Sequence, residues 1–313
     1  MSQPSTGTAE TPVALHHGPL TDYVPAAGLR WMIAGSPAYF ARHPALESLR
    51  GAWWSEERAR RFISATGIDL ASTERALVAG FDLGTLYMVD SSGWASAPEL
   101  RFSERLAGSE RVSRPHPEIW RVTGVVGSVP ESLVRVGDDL VAIAVSDPLS
   151  ARLVDLRARG RLKRWVPALG GAALSTLPKE FLEPGPCVAY ALGPFDATWP
   201  GDSEGLLSAT TAVAASLEVG DAAELRLALA GRWDPEQDLK RLSALWASVA
   251  DSSDGRLLGL SAAAAVVETN ATAEHLFLHV ALPLPALLGG LESLLSRDVQ
   301  RIVEGTASPG PPD

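Results

Sequence analysis

Between residues 29 and 90 the chain passes through an apolar run, a helical stretch and two further apolar runs joined by a tight turn. The same order of elements returns between residues 222 and 282. A recurrence of that kind confines the fold to two similar layers of strand and helix. In the first stretch, residues 29–34 read as a strand ended by Gly35-Ser36-Pro37. Ser55 then caps a helix whose first turn holds Glu56 and Glu57, and Gly67 closes it. Asp82-Leu83-Gly84 sits between two apolar runs as a hairpin signal. In the second stretch Asp234-Pro235 opens a helix with Leu239, Leu242, Trp246 and Val249 on one side. Asn270-Ala271 turns the chain between its last two strands.

Residues 91–117 read as a long loop, with strands near 119–126 and 140–145 beyond it. Asp147-Pro148 repeats the Asp-Pro helix start, and a very apolar last helix is expected over 286–303. Hairpins outnumber strand–helix–strand crossovers. The expected class is therefore α+β, mainly antiparallel sheets covered by helices, with two similar strand-helix-strand-strand units. Residues 1–24, rich in Ser, Thr, Pro and Gly, read as a disordered tether. Residues 25–183 read as an N-terminal α+β lobe, 184–305 as a C-terminal α+β lobe and 306–313 as a disordered tail.

Composition narrows the partners. A 46% hydrophobic and 20% charged chain is that of a soluble globular protein. The net charge of −10 repels a phosphate backbone, so nucleic acid is not expected as a partner. The apolar tract 276–291 is broken by His279, Pro283 and Pro285 and falls short of a membrane span, so no transmembrane segment is expected. The first residues carry no basic-then-apolar signal. A tether of this kind is nonetheless what trimming of an exported precursor leaves. The location is then the periplasmic side of the cell envelope if a signal once preceded it, and the cytoplasm otherwise.

The residues that carry chemistry elsewhere have plainer readings here. Gly201-Asp202-Ser203-Glu204-Gly205 matches the Gly-x-Ser-x-Gly string of serine hydrolases, but residues 196–200 separate it from the preceding strand, where a nucleophile elbow needs direct continuity. Asp202 or Ser203 reads instead as a helix cap, and no catalytic residue is assigned. Ser203, with Asp251 or Asp254 and His275 or His279 downstream, is the alternative. His275 and His279 lie four apart on a strand, about 13 Å, too far to share an ion, so no metal site is expected. Cys187, the only cysteine, reads as a buried inert thiol. Asp138 and Asp139 form a turn.

The one basic cluster is Arg152, Arg157, Arg159, Arg161, Lys163 and Arg164. It reads as a solvated helix face on an acidic protein, with contact to phosphate, anionic lipid or an acidic partner as the alternative. Trp53 and Trp54 are adjacent between two short helices and do not readily both enter one core. Either both pack at a helix corner, or one stays partly exposed and marks a partner surface, which makes Trp53 and Trp54 the partner-binding candidates. No phosphate loop or dinucleotide fingerprint occurs, and no cofactor is expected.

Three stretches carry a resemblance. They are Thr66-Gly67-Ile68-Asp69-Leu70 leading into Ala76-Leu77-Val78-Ala79-Gly80; the run from Val129-Pro130-Glu131-Ser132-Leu133 to Asp147-Pro148; and Gly231-Arg232-Trp233-Asp234-Pro235 with Gly255-Arg256-Leu257-Leu258-Gly259-Leu260. Over residues 28–304 the chain is similar to a family of myxobacterial and related deltaproteobacterial proteins, many of them lipoprotein-like. The resemblance implies the envelope and brings no activity. The functional expectation is a non-catalytic binding or assembly protein with a protein partner. A serine hydrolase using Ser203, or a small-ligand carrier with a cleft between its lobes, stands as the alternative.

Overall fold

The computed structural model of the protein describes residues 15–47, 50–51, 55–111, 118–183, 185–195, 205–261 and 266–289. Its strands are β1 (Leu29–Gly35), β2 (Ala76–Phe81), β3 (Thr85–Asp90), β4 (Ala107–Arg111), β5 (Ile119–Val126), β6 (Val129–Val136), β7 (Leu140–Val145), β8 (Cys187–Leu192), β9 (Thr210–Val219), β10 (Ala222–Gly231), β11 (Val266–Ala271) and β12 (His275–Pro283). All twelve join one sheet in the order β11-β12-β10-β9-β8-β1-β2-β3-β7-β6-β5-β4. Every neighbouring pair is antiparallel. The class is α+β. The Asp82-Leu83-Gly84 hairpin forms as expected, with Phe81 N–H donating to Gly84 O at 2.8 Å. Gly84 lies so close to β7 that a β-carbon there would stand 2.4 Å from Val145 O.

Helices covering the sheet include α1 (Pro37–Arg42), α2 (Glu56–Thr66), α3 (Pro98–Arg105), α4 (Pro148–Ala158) and α5 (Pro235–Asp251). Their starts follow the cap chemistry of the sequence. Ser55 Oγ accepts from Arg58 N–H, and Asp147 Oδ1 accepts from Leu149 N–H at 3.0 Å. Asp234 Oδ1 accepts from both Glu236 and Gln237 N–H, at 3.1 and 3.2 Å, while Asp238 reaches back to Asp234 N–H at 2.8 Å. Three backbone N–H groups are thereby satisfied within one turn. Asp234→Ala is expected to cost about 1 kcal/mol of stability, read as a lowered urea midpoint; an unchanged midpoint would show that water replaces the cap at no cost.

Side chains divide cleanly between the two faces. One face carries Met32, Leu77, Leu86, Met88, Ala142 and Tyr190, and is covered by α4 and the chain around Leu15–Val24. The opposite face has two separate covers. Over β9, β10 and β12, side chains from α1 and α5 pack on Leu229, Leu276, Leu278 and Val280. Over β5, β6 and β7, α2 and α3 pack through Phe62 and Phe102 on Val122, Leu133 and Val141.

Three expectations change. Residues 15–24 are not a tether: Leu15, Leu20, Tyr23 and Val24 are core residues, and His16 N–H donates to Ala158 O at 2.8 Å, while residues 1–14 lie outside the described residues. A few apolar anchors are enough to fix a segment whose average composition is polar. The loop of 91–117 contains α3, entered through Pro98 and seated by buried Phe102, and edge strand β4. In α5 the buried side passes through Leu242 and Ala250, with Trp246 half-buried and Val249 exposed.

The turn at 183–186 leads into β8, which pairs with β1 on one side and β9 on the other, so the sheet runs through it unbroken. The recurring order of elements is present, but the pairing differs. The first stretch stacks β1-β2-β3, whereas in the second β10 pairs with β12 and β11 lies outside it. The last helix is described only for 284–289; its remainder and the 306–313 tail lie outside the described residues.

Candidate partner-binding face

Between its two helical covers the second face of the sheet is open among the described residues. The pairing registers define a cross-strand row Leu227–Ala215–Ala189–Ile33–Val78–Tyr87–Ile143–Leu133. Leu227 at one end packs in the α5 cluster, and Ile143 and Leu133 at the other end pack in the α2–α3 cluster. The middle is uncovered: Ile33 and Tyr87 are each 44% exposed. The next row, Val213–Ala191–Trp31–Gly80–Thr85, repeats the pattern, with Trp31 39% exposed. A β-carbon on Gly80 would stand 2.2 Å from Trp31 Nε1, so the indole lies flat on the glycine and the floor stays low there.

The result is a trough. Its floor is β8, β1, β2 and β3, three strand spacings wide, or about 14 Å. The walls are helices, each about 10–12 Å thick with side chains. On the β8 side the floor is lined by Ala189 and Ala191, with Ala215 of β9 at its edge; on the β1–β3 side by larger rings and branched chains. Every floor strand has neighbours on both sides, so its backbone donors and acceptors are engaged within the sheet. Cys187 sits on this face opposite Gly35, and burial pushes its thiol pKa up, which keeps it protonated.

Two cavities lie apart from this floor. One of about 620 Å3 is bordered by Glu99, Glu118, Trp120, Arg135, Asp138 and Asp139. Arg135 bridges Glu99 and Asp138, both at 2.5 Å. Burial works against its charge, yet Asp138 and Glu99 together hold the guanidinium more firmly protonated than usual. The other, of about 600 Å3, lies at the ends of β1 and β8 between Ser36, Tyr39, His43 and Pro186. His43 Nδ1 is buried there without a hydrogen-bond partner among the described residues.

The side chains singled out in the sequence are dispersed. Ser203 and Asp202, and Trp53 and Trp54, lie outside the described residues. His275 Nε2 contacts Thr176 O at 2.6 Å, and His279 stands between Glu268 and Glu224 at 3.4 and 3.5 Å. Glu224 is held below the usual carboxylate range, first by its bond from Arg226 and then by His279. Asp138 and Asp139 make the β6–β7 turn and pair with Arg135 and His17. No cluster of metal ligands occurs among the described residues, and no described helix is long and apolar enough to cross a membrane.

The trough residues were missed in the sequence, although a signal was there. Trp31-Met32-Ile33 in β1 is apolar on both faces, a pattern that belongs to a strand covered on both sides. Comparison with protein-family models, curated proteins and solved structures found nothing that matches this chain.

Proposed function

We propose that this is a non-catalytic binding protein whose trough receives a single amphipathic helix from a protein partner. The observation that carries the reading is the exposure of Trp31, Ile33 and Tyr87 at the centre of a sheet whose flanks are both covered. Contiguous apolar surface of this kind marks contact sites, and aromatic residues dominate their energetics.

The dimensions select the occupant. A helix satisfies its own backbone groups, which an added strand could not do over a floor whose pairing is complete. One helix about 10–12 Å across fills a floor about 14 Å wide. A second copy cannot lay its sheet flat on this one, because the helical walls hold the two floors apart. Large side chains of the guest at i, i+3/i+4 and i+7 would settle over the alanine lane beside Trp31 and Ile33.

A photo-crosslinking residue, p-benzoylphenylalanine, placed at Ile33 in the full chain tests the reading in cells. The expected adduct is a segment of another protein. Synthesised as a peptide, that segment should become helical on binding and lose about 30-fold or more in affinity to Ile33→Asp, whose exposed site leaves the fold intact. An adduct to residues 290–313 of the same chain, an adduct to a second copy, or no adduct overturns the reading, as does a peptide indifferent to Ile33→Asp.

A further inference from the structure

Helix α4 is apolar on both of its sides. Ala151, Val154 and Ala158 enter the core, as a helix lying on a sheet requires. The opposite side carries Leu149, Arg152, Leu153 and Leu156, at i, i+3, i+4 and i+7. Leu149 is 55% exposed and the other two leucines are half-buried. A helix with a single cover does not need that second stripe.

The chain that follows is basic and fixed in place. Arg161, Lys163 and Arg164 are exposed, and Val166 beside them is 49% exposed. The ledge is pinned by Trp165 Nε1–H donating to Asp22 O at 2.8 Å and by Ala26 N–H donating to Val166 O at 3.1 Å. Arg157 and Arg159 of the same cluster are engaged, the first against Trp165 and His16, the second with Asp155. Arg152, Arg161, Lys163 and Arg164 have no acid within ion-pair distance among the described residues. Among the described residues these four cations stand without an ion pair, on a chain of net charge −10.

We infer that this surface docks on an anionic phospholipid bilayer, with Leu149, Leu153 and Val166 at the acyl boundary and the four cations at the headgroup phosphates. The charge is complementary, and each half of the surface needs its own phase. A nucleic acid or a free phosphate supplies anions but nothing for the leucines. An acidic protein would need a concave, apolar-floored mate for this convex helix, whereas a bilayer moulds to it. The surface lies on the sheet face opposite the trough, so both can be occupied together, and neither inference depends on the other.

Co-sedimentation of the full chain with sucrose-loaded vesicles tests the proposal. Binding is expected to vesicles of phosphatidylcholine with 30% phosphatidylglycerol and not to phosphatidylcholine alone, and to weaken as salt is raised. The triple variant Arg161→Glu, Lys163→Glu, Arg164→Glu should lower partitioning about 100-fold or more, since each cation contributes roughly fivefold. Leu149→Glu should lower it as well, by roughly tenfold. Near-native circular dichroism of both variants keeps misfolding apart from lost contact. No sedimentation with the anionic vesicles at low salt overturns the proposal, and so does binding that survives the charge reversals. Binding that ignores Leu149→Glu reduces the contact to adsorption of charge and overturns the insertion of the leucines.

Discussion

Replacing Asp155 by alanine is expected to lower the unfolding free energy by about 3–5 kcal/mol. Asp155 is buried on α4, where its Oδ1 accepts from Arg159 Nε at 2.6 Å and from Arg159 Nη2, and its Oδ2 faces Arg121 Nη1 at 3.5 Å. The Arg159 side chain is only 6% exposed and that of Arg121, which reaches over from β5, is 21% exposed. Removing the one carboxylate leaves two guanidinium groups in the layer between helix and sheet with no other acid paired to them among the described residues. The cost is that of stranded charge and not of a missing contact. The double variant Asp155→Leu, Arg159→Met should therefore be more stable than Asp155→Ala, because it removes a buried cation together with its partner. Urea unfolding at pH 7 reads both. A loss below about 1 kcal/mol for Asp155→Ala would mean that Arg159 swings out to water, and the account of this layer would fail.

What could be read in the sequence was mainly local chemistry. Asp147-Pro148 and Asp234-Pro235 announce helix starts because an Asx cap and a fixed proline φ act within one turn. Asp82-Leu83-Gly84 announces a hairpin for the same reason. Strand β6 was not recognised, since Pro130, Glu131 and Ser132 interrupt its apolar run. Its pairing to β5 and β7 comes from neighbours distant in sequence. Whether β11 or β12 lies next to β10 is likewise invisible in an order of elements, because either strand of a hairpin can dock.

The functional face was harder to find, for a physical reason. Trp31, Ile33 and Tyr87 are the residue types that fill cores, and only the placement of the helical covers leaves them outside. The histidines and acids that draw attention in a sequence turn out to serve turns and surface pairs, as His279 and Asp138 do. The trough and the basic ledge of α4 therefore emerge from architecture, one from what the covers miss and the other from what the core does not use.

Raising the pH from 10 to 12 is expected to remove about 4 kcal/mol of stability through two tyrosines. Burial pushes Tyr23 up to about 12, with Asp139 and Asp22 adding to the shift against Arg157, and burial alone pushes Tyr190 up to about 12. Both phenols donate to backbone carbonyls, Tyr23 to His16 O and Tyr190 to Phe181 O. A phenolate could not make those bonds. In the unfolded chain a tyrosine titrates near 10. The folded state thus holds protons that the unfolded state has released, and unfolding becomes easier as pH rises through this window. The stability is fully present below pH 10 and is lost as pH rises through 12, roughly 2 kcal/mol per residue by pH 12 out of a total of roughly 2.7. The interval is unusually clean here, because all but three of the 27 basic residues are arginines, which keep their charge. Urea midpoints at pH 9, 10, 11 and 12 should fall steeply for the native chain and less steeply for Tyr23→Phe, Tyr190→Phe. Phenolate absorbance from these two positions should rise together with loss of the native circular dichroism. Ionisation of both near pH 10 in a chain that stays folded would show that neither ring is sealed, Tyr23 under α4 and Tyr190 under the short helix that carries Phe181.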